Sequence, residues 1–253
     1  MKKITALFST LLLYAIFLGQ AIANESCFIA KDQGKILKSE GACNTRQTQG
    51  CDFSILLSLM GFDSGVLKNE KTPVWSYEGE EVYLNAWKKP HNPRTWIVDS
   101  CVWYSGKIVE KLGNEKINNY VHQFGYGNQD ITGMNKNDWP GALQISPTEQ
   151  VDFLQKVVNR TLPISHHAYN KTENILFISD MIGGWKLYGK TGVGEGKGEE
   201  RIGWFIGWIA KGDRRIPFVS NVVFEKKQDK IPSFIARSKA LEELFWIIND
   251  LEK

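Results

Sequence analysis

Cysteine, histidine and net charge are all scarce in this chain. It has four Cys, four His, and 31 basic against 28 acidic side chains in 253 residues, a formal +3. So small an imbalance argues against a nucleic-acid binder or a polybasic membrane-surface protein. The four histidines, His91, His122, His166 and His167, fall in no metal-ligand spacing, and His166-His167 reads as an exposed loop pair. Nine Trp and thirteen Phe supply a core, so no disulfide framework is needed for one. Beyond residue 23 no stretch approaches the ~20 apolar residues of a membrane span. No internal repeat and no linker interrupts the chain. The glycine-rich run "GVGEGKGEE", residues 192–200, lacks a Gly-Lys-Ser/Thr pattern and has strand-like segments on both sides, so it reads as a hairpin tip and not a phosphate loop.

The first residues have the character of an export signal. Lys2 and Lys3 precede an apolar stretch from Leu7 to Leu18, and Ala21-Ile22-Ala23 is a small-residue cleavage pattern. The expectation is a signal peptide over residues 1–23, a single mature domain over 24–253, and a periplasmic or secreted location. The alternative, an uncleaved anchor, suffers from the shortness of the apolar run. Export permits disulfides. Cys27 and Cys43 flank an expected hairpin and are the favoured pair. Other pairings remain open, including Cys51 with Cys43 or Cys101, as does a set of buried thiols.

Phe28 to Lys31 and Lys35 to Lys38 read as strands around an Asp32-Gln33-Gly34 turn. The run from Phe53 to Met60 is apolar nearly all round, which suits a helix buried on all sides. Residues 62–99 suggest loops and short helices, with a turn at His91-Asn92-Pro93. Ser146-Pro147-Thr148-Glu149 is a helix start with a capping box, and Val151, Leu154, Val157 and Val158 then share a face. Lys186 to Thr191, Ile202 to Ala210 and Ile216 to Phe224 form an antiparallel meander. Ile235, Leu241, Leu244, Phe245 and Ile248 mark a final amphipathic helix. If the N-terminal hairpin and the C-terminal meander share one sheet, both chain ends belong to one body.

Several motifs then fall in order: Ser100-Cys101-Val102, Tyr126-Gly127-Asn128, Lys190-Thr191-Gly192 and "IGWFIGWI" with Trp204 and Trp208. With "LSLMGFDSGVL" after Cys51, the set resembles the class D (oxacillinase-type) β-lactamases over residues 26–245. The resemblance implies an α/β (α+β) serine β-lactamase/penicillin-binding fold: an antiparallel sheet flanked by helices, a helical lobe beside it, and the active site between them. It also implies a nucleophilic serine opening the central helix, with a carboxylatable lysine one turn later as general base. Ser100 then corresponds to the serine that bonds that lysine and relays protons, and Val102 completes the triplet. Lys190, Thr191 and Gly192 match the motif that holds the substrate carboxylate, and the Val193 N–H completes an oxyanion hole. Arg237 matches the carboxylate-binding arginine. Trp139 matches the tryptophan that shields the lysine, in a loop that is shortened here between Asn128 and Ile145.

The chain departs from this pattern at the centre. Where the family reads Ser-Thr-Phe-Lys, this sequence reads Cys51-Asp52-Phe53-Ser54, and no shift of register restores the pair. A thiol at a helix N-terminus is a capable nucleophile, but Asp52 beside it disfavours the thiolate. Ser54 has no basicity near neutral pH and cannot be carboxylated, so no carbamate cofactor is expected. Loss of such members typically costs roughly 10⁴- to 10⁶-fold in rate. The expectation is an exported penicillin-binding cleft, with a β-lactam or peptidoglycan-like ligand, whose hydrolysis is lost or very slow. One alternative is an active β-lactamase working through Cys51; another is a purely structural or interaction role.

Overall fold

Strand β1 (Cys27–Asp32) and strand β2 (Lys35–Gly41) form the expected hairpin. Gln33 and Gly34 both take positive φ, 48° and 83°, the backbone that lets a two-residue turn follow the right-handed twist of its strands. The structure is a computed structural model that describes residues 26–253 except 83, 138, 227 and 228. The export signal expected at residues 1–23 lies outside the described residues. Strand β2 is a solvent-facing edge carrying Lys35 and Lys38, which discourages pairing with another chain.

Further on come the short strand β3 (Gln47–Thr48), a 3-10 turn at Cys51–Phe53, and helix α1 (Ser54–Asp63). Next are α2 (Pro93–Asp99), α3 (Val102–Leu112), α4 (Asn114–Phe124), the short strand β4 (Gln144–Ile145), α5 (Pro147–Val158) and α6 (His166–Leu176). The chain ends with β5 (Phe177–Asp180), β6 (Lys186–Glu195), β7 (Arg201–Lys211), β8 (Arg214–Phe224) and α7 (Pro232–Leu251). One antiparallel sheet runs β2-β1-β8-β7-β6-β5, so the N-terminal hairpin and the C-terminal meander share it.

Strand β7 explains the layers. Trp204, Ile206 and Trp208 point to one side, into the core that contains α1 and the helical lobe. Phe205 and Ile209 point to the other, against α7 through Ala236, Ala240 and Leu244. The two-residue period of a strand produces two cores from one sequence run. Helix α1 lies in the first core, buried from Ser54 to Phe62, as its all-round apolar sequence requires.

Local signals are fulfilled unevenly. Ser146 caps α5, with Pro147 at its first position and Glu149 reaching back. Residues 91–93 do not make an isolated turn: Asn92 accepts a hydrogen bond from the Thr95 N–H at 2.9 Å and caps α2, with Pro93 in its first turn. His166 and His167 are exposed, but they open α6 and do not form a loop. Strand β6 continues through Glu195, so only the last part of the glycine-rich run forms the hairpin tip. Its pairing with β7 satisfies the backbone there, which glycine spacing alone could not indicate.

Cys27 and Cys43 are disulfide-bonded, while Cys51 and Cys101 are free thiols. The bond ties β1 to the chain just after β2 across a sequence separation of 16. A loop of that size is worth about 3 kcal/mol in the chain-entropy account. Replacing both cysteines by serine should lower the unfolding free energy by about that much in urea titrations. A loss below about 1 kcal/mol would show that sheet pairing alone fixes the hairpin.

Candidate active site

Strand β6 lies directly against the turn that starts α1. A side chain at Gly192 would run into Asp52, one at Gly50 into the Val193 backbone, and one at Gly194 into Thr48. Three glycines therefore let the strand approach the helix head at backbone distance. Further bonds hold the contact: the Trp204 indole donates to Thr48 O at 2.8 Å, and the Thr48 hydroxyl donates to Glu195 O.

At this seam Cys51 meets Ser100 and Lys190. Ser100 ends α2 in the left-handed region, φ 52° and ψ 44°, an uncommon position for a residue with a side chain. Its carbonyl oxygen lies 3.8 Å from Cys51 Sγ. Its hydroxyl accepts from Lys190 Nζ at 2.6 Å, and Lys190 also donates to Thr191 O at 2.8 Å. Lys190 is only 4% exposed. Burial pushes its amine below the usual lysine range, against the opposing pull of Cys51 and Asp52. Burial also raises the Cys51 thiol, Asp52 raises it further, and Lys190 partly offsets both. Cys101 is buried against the other side of the motif, and desolvation pushes its thiol up to about 12.

Asp52 and Ser54 are both sealed inside, at 0% and 1% exposure. The Asp52 carboxylate accepts from Gln49 Nε2 at 2.6 Å and from the Gly50 N–H at 2.8 Å. Burial still lifts its pKa to about 6, because desolvation outweighs those bonds. The Tyr126 hydroxyl lies 2.8 Å from both Gln49 Oε1 and Gln150 Oε1, extending the polar chain from Asp52 into α5. Burial and the nearby Asp52 push the Tyr126 phenol well above its ordinary value.

Two cavities open on either side of Cys51 and Ser100. One, about 330 Å³, is lined by Ser100, Lys190, Thr191 and Arg237, with Val98 and Phe177 among its apolar walls. Arg237 comes from α7. Its Nε is buried without a hydrogen-bond partner, and its guanidinium lies 5.9 Å from the Phe205 ring centroid. The other, about 350 Å³, is lined by Cys51, Val102, Trp139, Val193 and Glu195. Trp139 is nearly buried and stacks on Phe53, with ring centroids 6.2 Å apart. Among the described residues, no group of three or more His, Cys, Asp or Glu is placed to hold a metal.

The residues singled out by sequence therefore line two neighbouring cavities, Ser100, Lys190, Thr191 and Arg237 the first and Cys51, Val102, Trp139 and Val193 the second, with Cys51 Sγ 3.8 Å from Ser100 O between them. Gly192 forms the floor against Asp52, and Ser54 lies beneath, in the helix. Motif reading missed Gln49, Gln150 and Glu195. A glutamine carries no pattern of its own, and only the fold brings residues 49, 126 and 150 together. It also missed Arg94, which donates to Ile175 O at 2.6 Å and Phe177 O at 2.9 Å and ties α2 to the wall of the first cavity.

Comparisons with known proteins identify the family. Residues 29–238 match the penicillin binding protein transpeptidase domain. β-Lactamase OXA-1 of Escherichia coli is 33% identical over 230 residues, covering 86% of this chain and 83% of that protein. β-Lactamase OXA-9 of Klebsiella pneumoniae is 32% identical, with 96% and 97% covered. The crystal structure of the OXA-427 class D β-lactamase superposes with a TM-score of 0.81 at 34% identity, over 89% of this chain and 99% of that one. With its sheet, helical lobe and ordered motifs in place, this chain belongs to the class D β-lactamase family.

Proposed function

We propose that this protein is an exported penicillin-binding member of its family whose β-lactam hydrolysis is lost or very slow. The observation that carries the reading is Ser54: a buried hydroxyl stands where the family's base would be. Hydrolysis through an acyl intermediate needs a base twice, first for the nucleophile and then for water. A serine hydroxyl accepts no proton near neutral pH. Lys190 is the amine nearest the site, but Ser100 and Thr191 hold it on the carboxylate side of the cleft. Once a lactam ring opens, its nitrogen stays tethered to the acyl group and occupies that corner, so water gains no base there. Efficient turnover through Cys51 is disfavoured for the same reason, and the raised pKa of its thiol slows the first step as well.

Recognition survives the substitutions. Lys190, Thr191, Ser100 and Arg237 converge on one cavity, and the Arg237 Nε is unpartnered. Burying such groups with nothing to bind is costly, and a carboxylate satisfies them. A β-lactam or a peptidoglycan-like peptide presents that carboxylate. Export is supported by the leader-like residues 1–23 and by the Cys27–Cys43 disulfide, which needs an oxidising compartment.

Purified protein should bind benzylpenicillin saturably, read by tryptophan fluorescence, yet hydrolyse it or nitrocefin slower than about 1 s⁻¹. Faster turnover overturns the reading. Arg237→Ala should weaken binding roughly 10- to 100-fold, as loss of a charge-assisted bond implies; unchanged affinity would move the carboxylate site elsewhere.

Asp52 sets a pH dependence. Its folded pKa of about 6 lies above the ordinary 3.8, so between those values the folded protein keeps a proton that the unfolded chain releases. Stability from this group is therefore greatest below about pH 4, falls as pH rises towards about 6, and stays reduced above, by an amount on the order of 3 kcal/mol. Urea midpoints measured from about pH 4 to about pH 7.5 should show that Asp52→Asn flattens this slope and gains stability relative to wild type as pH rises. A parallel offset at every pH would show that Asp52 is ionised throughout.

A further inference from the structure

Cys51, Ser100 and Lys190 come from the α1 head, the α2 end and β6, and they meet around Ser100. Cys51 Sγ lies 3.8 Å from Ser100 O, and Lys190 Nζ lies 2.6 Å from Ser100 Oγ. We propose that Cys51 is acylated once by a β-lactam, with Lys190 accepting the thiol proton and Ser100 passing it to the lactam nitrogen, so that the protein stores the opened drug as a thioester. This rests on the reading of the cleft as a penicillin site and names the chemistry the cleft retains.

The amine is suited to accept a proton. Among the ion pairs of the described residues none involves Lys190, and its two hydrogen-bond acceptors, Ser100 Oγ and Thr191 O, are neutral. A neutral amine has two N–H groups and one lone pair. In that form the two acceptors use the N–H groups, and the lone pair is left to take up a proton. The charged and titratable groups around it are Cys51 and Asp52 on the α1 side, Arg94 on α2 and Arg237 on α7. Burial works against both the thiolate and the ammonium, which suits a proton that moves as the sulfur attacks.

The step balances without a co-reactant. A bond forms between Sγ and the lactam carbonyl carbon. The C–N bond breaks and its electron pair goes to nitrogen. The thiol proton passes to Lys190, and a proton crosses the Ser100 hydroxyl to that nitrogen, which returns Lys190 to its neutral state. The sequence then stops. Ser54 activates no water, and the ring nitrogen fills the corner between Ser100 and Lys190. Acylation without deacylation makes the chain a stoichiometric acceptor, not a catalyst.

Intact-mass and peptide-mapping spectrometry on the mature protein, reduced and incubated with benzylpenicillin, tests this alongside fluorescence-detected binding. One adduct per chain should appear, on Cys51, and none in Cys51→Ala. Lys190→Arg puts a guanidinium, which cannot accept a proton, in place of the amine. Measured at saturating benzylpenicillin, so that any change in affinity drops out, its adduct formation should slow roughly 10²- to 10⁴-fold. In wild type the rate of adduct formation should climb with pH and level off below the ordinary lysine value of 10.5, as an amine lowered by burial requires. A thiol acting alone would have to climb past its ordinary 9.0. That profile decides the matter on wild type if Lys190→Arg does not fold. Binding without any adduct overturns this inference and leaves the cleft reading intact, whereas absence of binding overturns the cleft reading itself. An adduct elsewhere, a wild-type rate in Lys190→Arg, a rate still climbing past pH 10.5, or multiple turnovers each overturn the proposal.

Discussion

Everything at this site depends on how closely β6 approaches the head of α1. Gly192 lies on Asp52 and Gly50 lies on Val193, with no room for a side chain at either position. That contact sets the depth of the cleft and places Lys190 beside Ser100. It also removes water from the underside, which leaves Asp52 fully buried. A substitution at Gly192 would displace the strand and the α1 head together, because its nearest neighbours include the Asp52 backbone. The structural and chemical roles of this glycine are therefore one constraint.

Desolvation decides the charges at the seam. It lowers the Lys190 amine, raises the Cys51 thiol and raises the Asp52 carboxyl to about 6. Each group is pushed towards its neutral form, and mutual attraction only partly restores the charged ones. The family arrangement relies on an amine inside the helix that can be converted to a charged base. Here the helix offers a hydroxyl at 54 and a carboxylate at 52. That carboxylate is satisfied by Gln49 and Gly50 and faces the strand, not the substrate. A buried acid already bonded on both oxygens is no replacement for the missing base.

Patterns with short range were legible in the sequence. The hairpin turn, the α5 capping box and the strand over Ile202 to Ala210 each depend on neighbours within a few residues. The ordered motifs located Ser100, Lys190 and Thr191 by their order along the chain, although Lys190 and Thr191 fall in the middle of β6 and Ser100 at the end of α2. Helices α3 and α4 were not anticipated: their buried positions, such as Tyr104, Ile108, Ile117 and Val121, are interspersed with lysines, glutamates and asparagines that mask the period. The polar chain through Gln49, Tyr126 and Gln150 was also hidden. Its members are 24 and 77 residues apart in sequence, and only tertiary packing brings them into contact.

The separation of parts across elements explains how binding and turnover can come apart. The proposed carboxylate site draws on β6 and α7, through Thr191, Lys190 and Arg237, whereas residues 51 and 54, the nucleophile and base positions that the family resemblance implies, lie at the head of α1. The wall of Val102 and Trp139 comes from α3 and the loop before β4. A change confined to residues 51 to 54 leaves the other surfaces in place, because their positions are fixed by the sheet and by α2. The same geometry keeps Lys190 within reach of the site even when residue 54 offers nothing. An amine held on the leaving-group side can assist the breaking of the ring but is shielded once the ring is open. On the proposed reading, the serine at residue 54 would therefore separate the two halves of the reaction instead of abolishing both.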